Sequence, residues 1–328
     1  MEDIPPPARL WMLATSHFLP RTLHVVAEAG VADHLGETPV AVDVLARKSG
    51  CDAAALNRML RLLSTAGVFE RAGEGWAHTE LSRLLRTDHP HSMRAFARMI
   101  GGRVQWAAAG ELREALTSGQ AAIEKVVPGG LWRWFAEHPE DARIFDAAMT
   151  SKSIGESAAL VQAFDFKPYR RIADIGGGRG HVLAAILDAT PGATGVLFDL
   201  LHVVAAAPAS SRMETRGGDF FHDALPGADA YVVSQVLHDW PDEQATAILS
   251  AVRRAAHSGS HLLVVEQLLA DSPGPHPSKV LDVVMLTLTG GCERTREDYA
   301  RLFDSAGFRL ERVVPTAAPV SVLVGIPA

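Results

Sequence analysis

Cysteine is nearly missing from this chain of 328 residues, which carries only Cys51 and Cys292. Two thiols cannot build a disulfide framework or a four-cysteine zinc site, so the sequence predicts a core held by packing in a reducing, cytoplasmic compartment. Positive charge is also in deficit, with 31 Lys and Arg against 38 Asp and Glu and a formal charge of −7. That balance argues against a protein whose task is to neutralise nucleic-acid phosphates, and no nucleic-acid partner is expected. Long apolar runs are absent too. Asp282 interrupts VLDVVMLTLTG and Glu266 interrupts HLLVVEQLLA, short of the ~18–20 apolar residues that span a bilayer. The start, MEDIPPPARLWML, is acidic and proline-rich and lacks the basic opening of a secretory signal. No membrane partner is expected.

What is present is an ordinary globular composition, 48% hydrophobic and 21% charged, in a chain long enough for two domains. In the front part, Leu23, Val26 and Ala27, then Leu56, Met59, Leu60 and Leu63, recur at helical spacing. Helices over Val42–Lys48 and Asp52–Ala66, followed by a short hairpin from Val68 to Trp76 with its tip at Gly73–Gly75, outline a winged helix. A winged helix can read DNA. Residues 1–100, however, hold eleven basic and eleven acidic side chains, where a DNA reader needs a basic surface. A dimerisation or scaffold role fits better, and the apolar Trp11, Met12, Leu13 and Phe18 predict a homodimer built mainly by residues 1–100.

Residues 101–160 continue as helices. From Arg170 onward short apolar runs alternate with amphipathic stretches: RRIADIG, GHVLAAILDA, TGVLFDL, AYVVSQVLHDW, DEQATAILSAVRRAA, HLLVVEQLL. This pattern predicts an α/β domain, a parallel sheet covered by helices on both faces, in which buried strands read as near-continuous apolar runs. Between the first strand and its helix lies DIGGGRG, Asp174 to Gly180. Gly176, Gly178 and Gly180 allow a sharp turn and close approach of a ligand to the backbone, although a tight strand-to-helix turn also asks for glycine on structural grounds alone. Asp199 ends the next strand, where a carboxylate can accept both hydroxyls of a ribose. Twenty positions on, Gly218-Asp219-Phe220 sets an acid beside an aromatic ring, a pair suited to an adenine amino group and face. Acids at successive strand ends fit an adenosine better than a phosphate. A nicotinamide dehydrogenase would share the glycine turn and Asp199, but no second glycine-rich turn follows. A magnesium-dependent catechol methyltransferase would need clustered carboxylate or Asn ligands, which the spacing does not supply.

The order DIGGGRG, LFDL, GGDFF, SQVLHDWPDEQATAILSAVRRA, LLVVEQLL, MLTLTGGCERTREDYARLFDSAGF resembles the S-adenosylmethionine-dependent O-methyltransferases of the caffeate and hydroxyindole type, which include many bacterial enzymes of natural-product biosynthesis. The resemblance implies a class I methyltransferase, Rossmann-like sheet over residues 101–328, with a helical segment 101–160 contributing to the acceptor pocket, behind a winged-helix dimerisation domain at 1–100. It implies S-adenosyl-L-methionine as cofactor, held by Asp174, Gly176, Gly178, Asp199, Leu200, Gly218, Asp219, Phe220 and Ser234. It implies catalysis by His238, matching the family's general base, with Glu266 and Glu293 matching the acids beside it. Trp132, Phe145, Met149, Asp239, Met285 and Thr289 would then face a small aromatic acceptor carrying the hydroxyl to be methylated, and no metal is implied. Plant members often carry a cofactor-contacting lysine four positions before the histidine, where this chain has Ser234, which brings no charge. Some relatives use the same cofactor site for hydroxylation or ring chemistry, but His238, Glu266 and Glu293 together favour methyl transfer. Taken alone, His238 or Trp240 could serve only the turn, with Asp242 as the N-cap of the next helix.

Overall fold

A computed structural model describes residues 4–328. The chain divides into two compact units, residues 1–106 with 138–151, and residues 107–137 with 152–328.

The first unit is helical with one hairpin. Asp52 caps the helix Ala53–Ser64 by accepting the Ala55 N–H at 2.8 Å, and Gly50 closes the preceding helix Val42–Ser49 in the left-handed region at φ 68°. Both devices are cap chemistry readable from residue type. The hairpin strands Phe69–Ala72 (β1) and Gly75–His78 (β2) pair antiparallel. They close over a core that includes Val31, Leu45, Leu60, Leu63, Phe69 and Trp76. Trp76 also donates to Asn57 Oδ1 at 3.1 Å, so its ring nitrogen is not orphaned by burial. The helix Pro6–Thr15 is different. None of its residues is buried, and Leu10, Trp11 and Leu13 are each more than two-thirds exposed.

The second unit is built on seven strands: Arg171–Ile175 (β3), Thr194–Asp199 (β4), Met213–Gly217 (β5), Ala230–Ser234 (β6), His261–Gln267 (β7), Phe308–Pro315 (β8) and Val320–Pro327 (β9). Their order across the sheet is β5-β4-β3-β6-β7-β9-β8. The first five are parallel, as the apolar runs of β3, β4, β6 and β7 predict, whereas β5 is an exposed edge strand with no such run, and β8 and β9 join antiparallel at the other edge. Successive residues of a strand point to opposite faces, and here both faces are covered. Ile172, Ala230 and Val232 enter one core with Leu183 and Ile186 of the helix His181–Ala189. Ala173, Ile175, Tyr231 and Val233 enter the other with Ile248 of the helix Asp242–Ala255 and Phe303 of the helix Arg296–Ser305. Between β3 and β6 the strand order reverses. Open α/β sheets hold their ligands in the crevice beyond the strand carboxyl ends at such a point, and both the glycine turn after β3 and the LHDW turn after β6 leave the sheet there.

Candidate active site

At the end of β3 the backbone turns through Gly176, Gly178 and Gly180, with φ of 70°, 59° and 80°. Space demands glycine as much as φ does. A Cβ on Gly176 would stand 2.8 Å from Val236 Cγ2, and one on Gly177 would stand 2.4 Å from the Asp174 carboxyl group. The Gly178 N–H donates to Asp199 Oδ2 at 2.8 Å and the Leu200 N–H to Oδ1 at 2.7 Å. The two amides fix the orientation of the carboxylate. Asp174, fully buried, has no hydrogen-bond partner for either oxygen among the described residues. Burial, and then the charge of Asp199, raise its pKa to about 7.

Beyond β5, Gly218 has no room for a Cβ beside the Phe198 ring. Asp219 accepts the Phe221 N–H at 2.9 Å and contacts His222 Nδ1 at 2.8 Å. Phe220, Phe221 and Trp240 meet edge to face, with centroids 4.8–6.1 Å apart. Trp240 is therefore a packing residue that ties the Gly218–Phe221 loop to the LHDW turn.

The turn Leu237–Asp239 is a single 3₁₀ turn that leaves His238 only 5% exposed. His238 Nδ1 lies 2.7 Å from Glu293 Oε1 and 3.6 Å from Glu266 Oε2, with Asp239 Oδ1 3.9 Å from Nε2. A carboxylate at 2.7 Å sets the tautomer: Nδ1–H donates, leaving the lone pair on Nε2. Glu266, inside β7, uses its other oxygen to accept the Val236 and Leu237 N–H groups at 3.1 and 3.0 Å, so one side chain both shapes the turn and faces the imidazole. Burial alone would lower the His238 pKa. The charges of Glu266, Glu293 and Asp239 outweigh it and push the value up to about 9. Burial raises Glu266 to about 7 and Asp239 to about 6, each opposed by the histidine charge.

Two further residues belong to this cluster and were not anticipated from sequence. Arg294, 2% exposed, donates Nη1 to the Leu237 carbonyl at 2.8 Å, Nη2 to the Trp240 carbonyl at 2.7 Å and Nε to Asp242 Oδ1 at 2.9 Å. It clamps the turn on both sides of His238. Asp242 is consequently the first residue of its helix, after the capping Pro241, and not the N-cap. A capping box of Thr295 with Asp298 starts the next helix two residues past Glu293 and leaves Glu293 outside the helix to meet the histidine. The second residue, Lys152, donates to Gln235.

Of the residues expected at the acceptor, Trp132, Asp239, Met285 and Thr289 lie in the second unit, with Met285 buried and Thr289 capping the helix Pro277–Leu288. Phe145 and Met149 lie in the first unit, both half-buried.

The O-methyltransferase domain family matches residues 110–309, and the O-methyltransferase dimerisation domain family matches residues 11–88. The chain belongs to the S-adenosylmethionine-dependent O-methyltransferases. It is 37% identical to the phenazine O-methyltransferase of Lysobacter antibioticus over 99% of this chain and 97% of that one. It is 34% identical to the mitomycin biosynthesis 6-O-methyltransferase of Streptomyces lavendulae over 92% and 89%. The human N-acetylserotonin methyltransferase, solved in complex with S-adenosylmethionine, superposes with a TM-score of 0.91 at 27% identity over 100% and 99% of the two chains. No helix among the described residues of this O-methyltransferase is long and apolar enough to cross a membrane.

The residues around the glycine turn fit S-adenosylmethionine. Asp199 is held by two backbone amides, both Asp174 oxygens lack a partner at hydrogen-bond distance, and the turn is open at Gly178, where nothing lies within 4 Å of a Cβ position. Gly177→Ala would drive a methyl group into the buried Asp174 carboxyl. It is expected to cost about 1–3 kcal/mol of stability, the usual range for overpacking, and to weaken S-adenosylhomocysteine binding. Urea unfolding and calorimetry check this, and a variant unchanged in both would show that the turn has slack.

Proposed function

We propose that this enzyme methylates a hydroxyl of a small aromatic acceptor, with His238 as the general base, Glu293 and Glu266 orienting it, and a homodimer as the working form. The observation that carries the reading is the buried Nδ1–Glu293 contact of 2.7 Å, which places the lone pair on Nε2, on the far side of the ring from Glu293 and Glu266. In this reading Asp199 holds the ribose, Asp219 and Phe220 meet the adenine, and the glycine turn with Asp174, Leu200, Gly218 and Ser234 encloses the rest of the cofactor. When bound, S-adenosylmethionine supplies a methyl group on positively charged sulfur. Trp132, Asp239, Met285 and Thr289 are proposed to hold the acceptor ring, methionine being an adaptable apolar wall.

A phenol is a weak nucleophile until its proton leaves. Nε2 receives that proton, and the carboxylates behind Nδ1 stabilise the imidazolium that results. A base whose pKa is raised toward that of a phenol makes the transfer nearly level in energy, at the cost of being largely protonated at neutral pH. The sign of the pH dependence follows. The neutral imidazole grows as pH rises toward about 9, so kcat/KM for the acceptor should climb across pH 6–9. Glu293→Gln should move that limb to lower pH by removing a charge that favours imidazolium. A limb in the same place in the variant would contradict the assignment. His238→Ala should retain S-adenosylhomocysteine affinity and lower turnover by about 10²–10⁴-fold on a phenol of high pKa, less on an acidic one. Near-normal turnover on the high-pKa phenol would make His238 structural.

The dimer rests on the dimerisation domain and on the apolar side chains of Leu10, Trp11 and Leu13, uncovered in one chain. Sedimentation should give a dimer, and changing all three to Glu should give the 35.1 kDa monomer. A wild-type monomer would overturn this part.

A further inference from the structure

Lysine is scarce in this sequence, five residues against 26 arginines, and one of the five stands in the active-site unit beside the LHDW turn. Lys152, on the helix Pro139–Ala163, donates from Nζ to Gln235 Oε1 at 2.5 Å. Gln235 follows the last residue of β6. Among the described residues it is the one non-glycine in the left-handed region, at φ 55°. Such strain persists only where surrounding structure holds it, and it gathers at functional sites. Here the Gln235 N–H donates to the Val265 carbonyl at 3.0 Å, and Lys152 takes the amide oxygen. The amide oxygen is thereby taken, and the amide nitrogen Nε2 is buried with no hydrogen-bond partner.

The place is defined on both sides. The next residue, Val236, fills the space where Gly176 would carry a Cβ, so Gln235 borders the glycine turn, and His238 lies three residues on. The charge is defined as well. Glu156, Asp239 and Glu266 make the surroundings acidic, and Lys152 and His238 are the cationic groups acting on all three. An ammonium beside an unused amide N–H forms a two-donor seat for a carboxylate, with one bond charge-assisted. Elsewhere along this acidic rim a carboxylate would be repelled.

We propose that Lys152 and Gln235 together bind the α-carboxylate of S-adenosylmethionine, supplying from a distant helix the positive charge that Ser234 lacks. The proposal rests on the cofactor cradle described above and assigns its amino-acid end. A carboxylate borne by the acceptor has the same chemistry, and the two sources are separable by ligand. Calorimetry on the full-length protein compares S-adenosylhomocysteine, which has the amino-acid end, with 5′-methylthioadenosine, which lacks it. Lys152→Met should weaken S-adenosylhomocysteine about 10–100-fold, as expected for losing a charge-assisted contact, and leave methylthioadenosine within about twofold, while Lys152→Arg recovers most of the loss. Equal losses for both ligands would overturn the proposal as a disturbance of the fold, which a thermal melt without ligand would register. Unchanged S-adenosylhomocysteine affinity with a raised KM for a carboxylated acceptor would overturn it in favour of the acceptor. Wild-type protein that binds neither nucleoside would instead fail the cradle itself, a result distinct from any loss confined to the lysine variant.

Discussion

The contact on which the site depends is the buried pairing of His238 with Glu293 and Glu266. Three ionisable groups that are each almost wholly shielded from water are tolerable together only because the histidine can carry positive charge between the carboxylates. That requirement explains the surrounding construction. Glu266 must sit inside a strand to be rigid, and it repays its burial by accepting two backbone N–H groups of the turn. Glu293 is delivered by a segment so close to the turn that a Cβ on Gly291 would lie 2.0 Å from the His238 carbonyl oxygen. Arg294, next in sequence, fastens the same turn through its carbonyls. The imidazole is fixed from three directions before any ligand arrives, and preorganisation of this kind is what positioning-dominated catalysis needs.

At the same sheet edge the proposed cofactor cradle is built on a different principle. Around the glycine turn, charge is less important than the exclusion of side chains and the aiming of Asp199 by two backbone amides. The two halves of the site meet because β3 and β6 are neighbours although they are separated in the chain by β4 and β5. Topology brings them together before any side chain is chosen.

Much of this was legible in the sequence, and for local reasons. The inner parallel strands β3, β4, β6 and β7 announce themselves as apolar runs because both their faces are buried, while the exposed edge strand β5 does not, and the hairpin tip and a helix start are written in Gly73 and Asp52. His238, Glu266 and Glu293 were found through the resemblance carried by LHDW and GGCERT, and the structure brings all three together. Features created by distant partners were hidden. Lys152 and Gln235 are 83 positions apart, and Arg294 and Leu237 are 57 apart, so neither pairing leaves a local pattern. Asp242 had the residue type of an N-cap, but the demand of a buried guanidinium took its carboxylate instead. The antiparallel edge was muted for another reason: Phe308–Pro315 is partly exposed and charged, and lacks the apolar continuity of the inner strands.

The central claim is that flanking carboxylates hold His238 as a basic, Nδ1-protonated imidazole. Nitrogen-15 histidine NMR on the full-length protein tests it most directly, with His238 assigned by comparison with His238→Ala. The account predicts that in ligand-free protein this imidazole titrates near 9, well above the ordinary ~6.5, with the proton of its neutral form on Nδ1, and that Glu293→Gln lowers the midpoint. A His238 that titrates at or below the ordinary value, or whose neutral form is protonated on Nε2, would contradict the account.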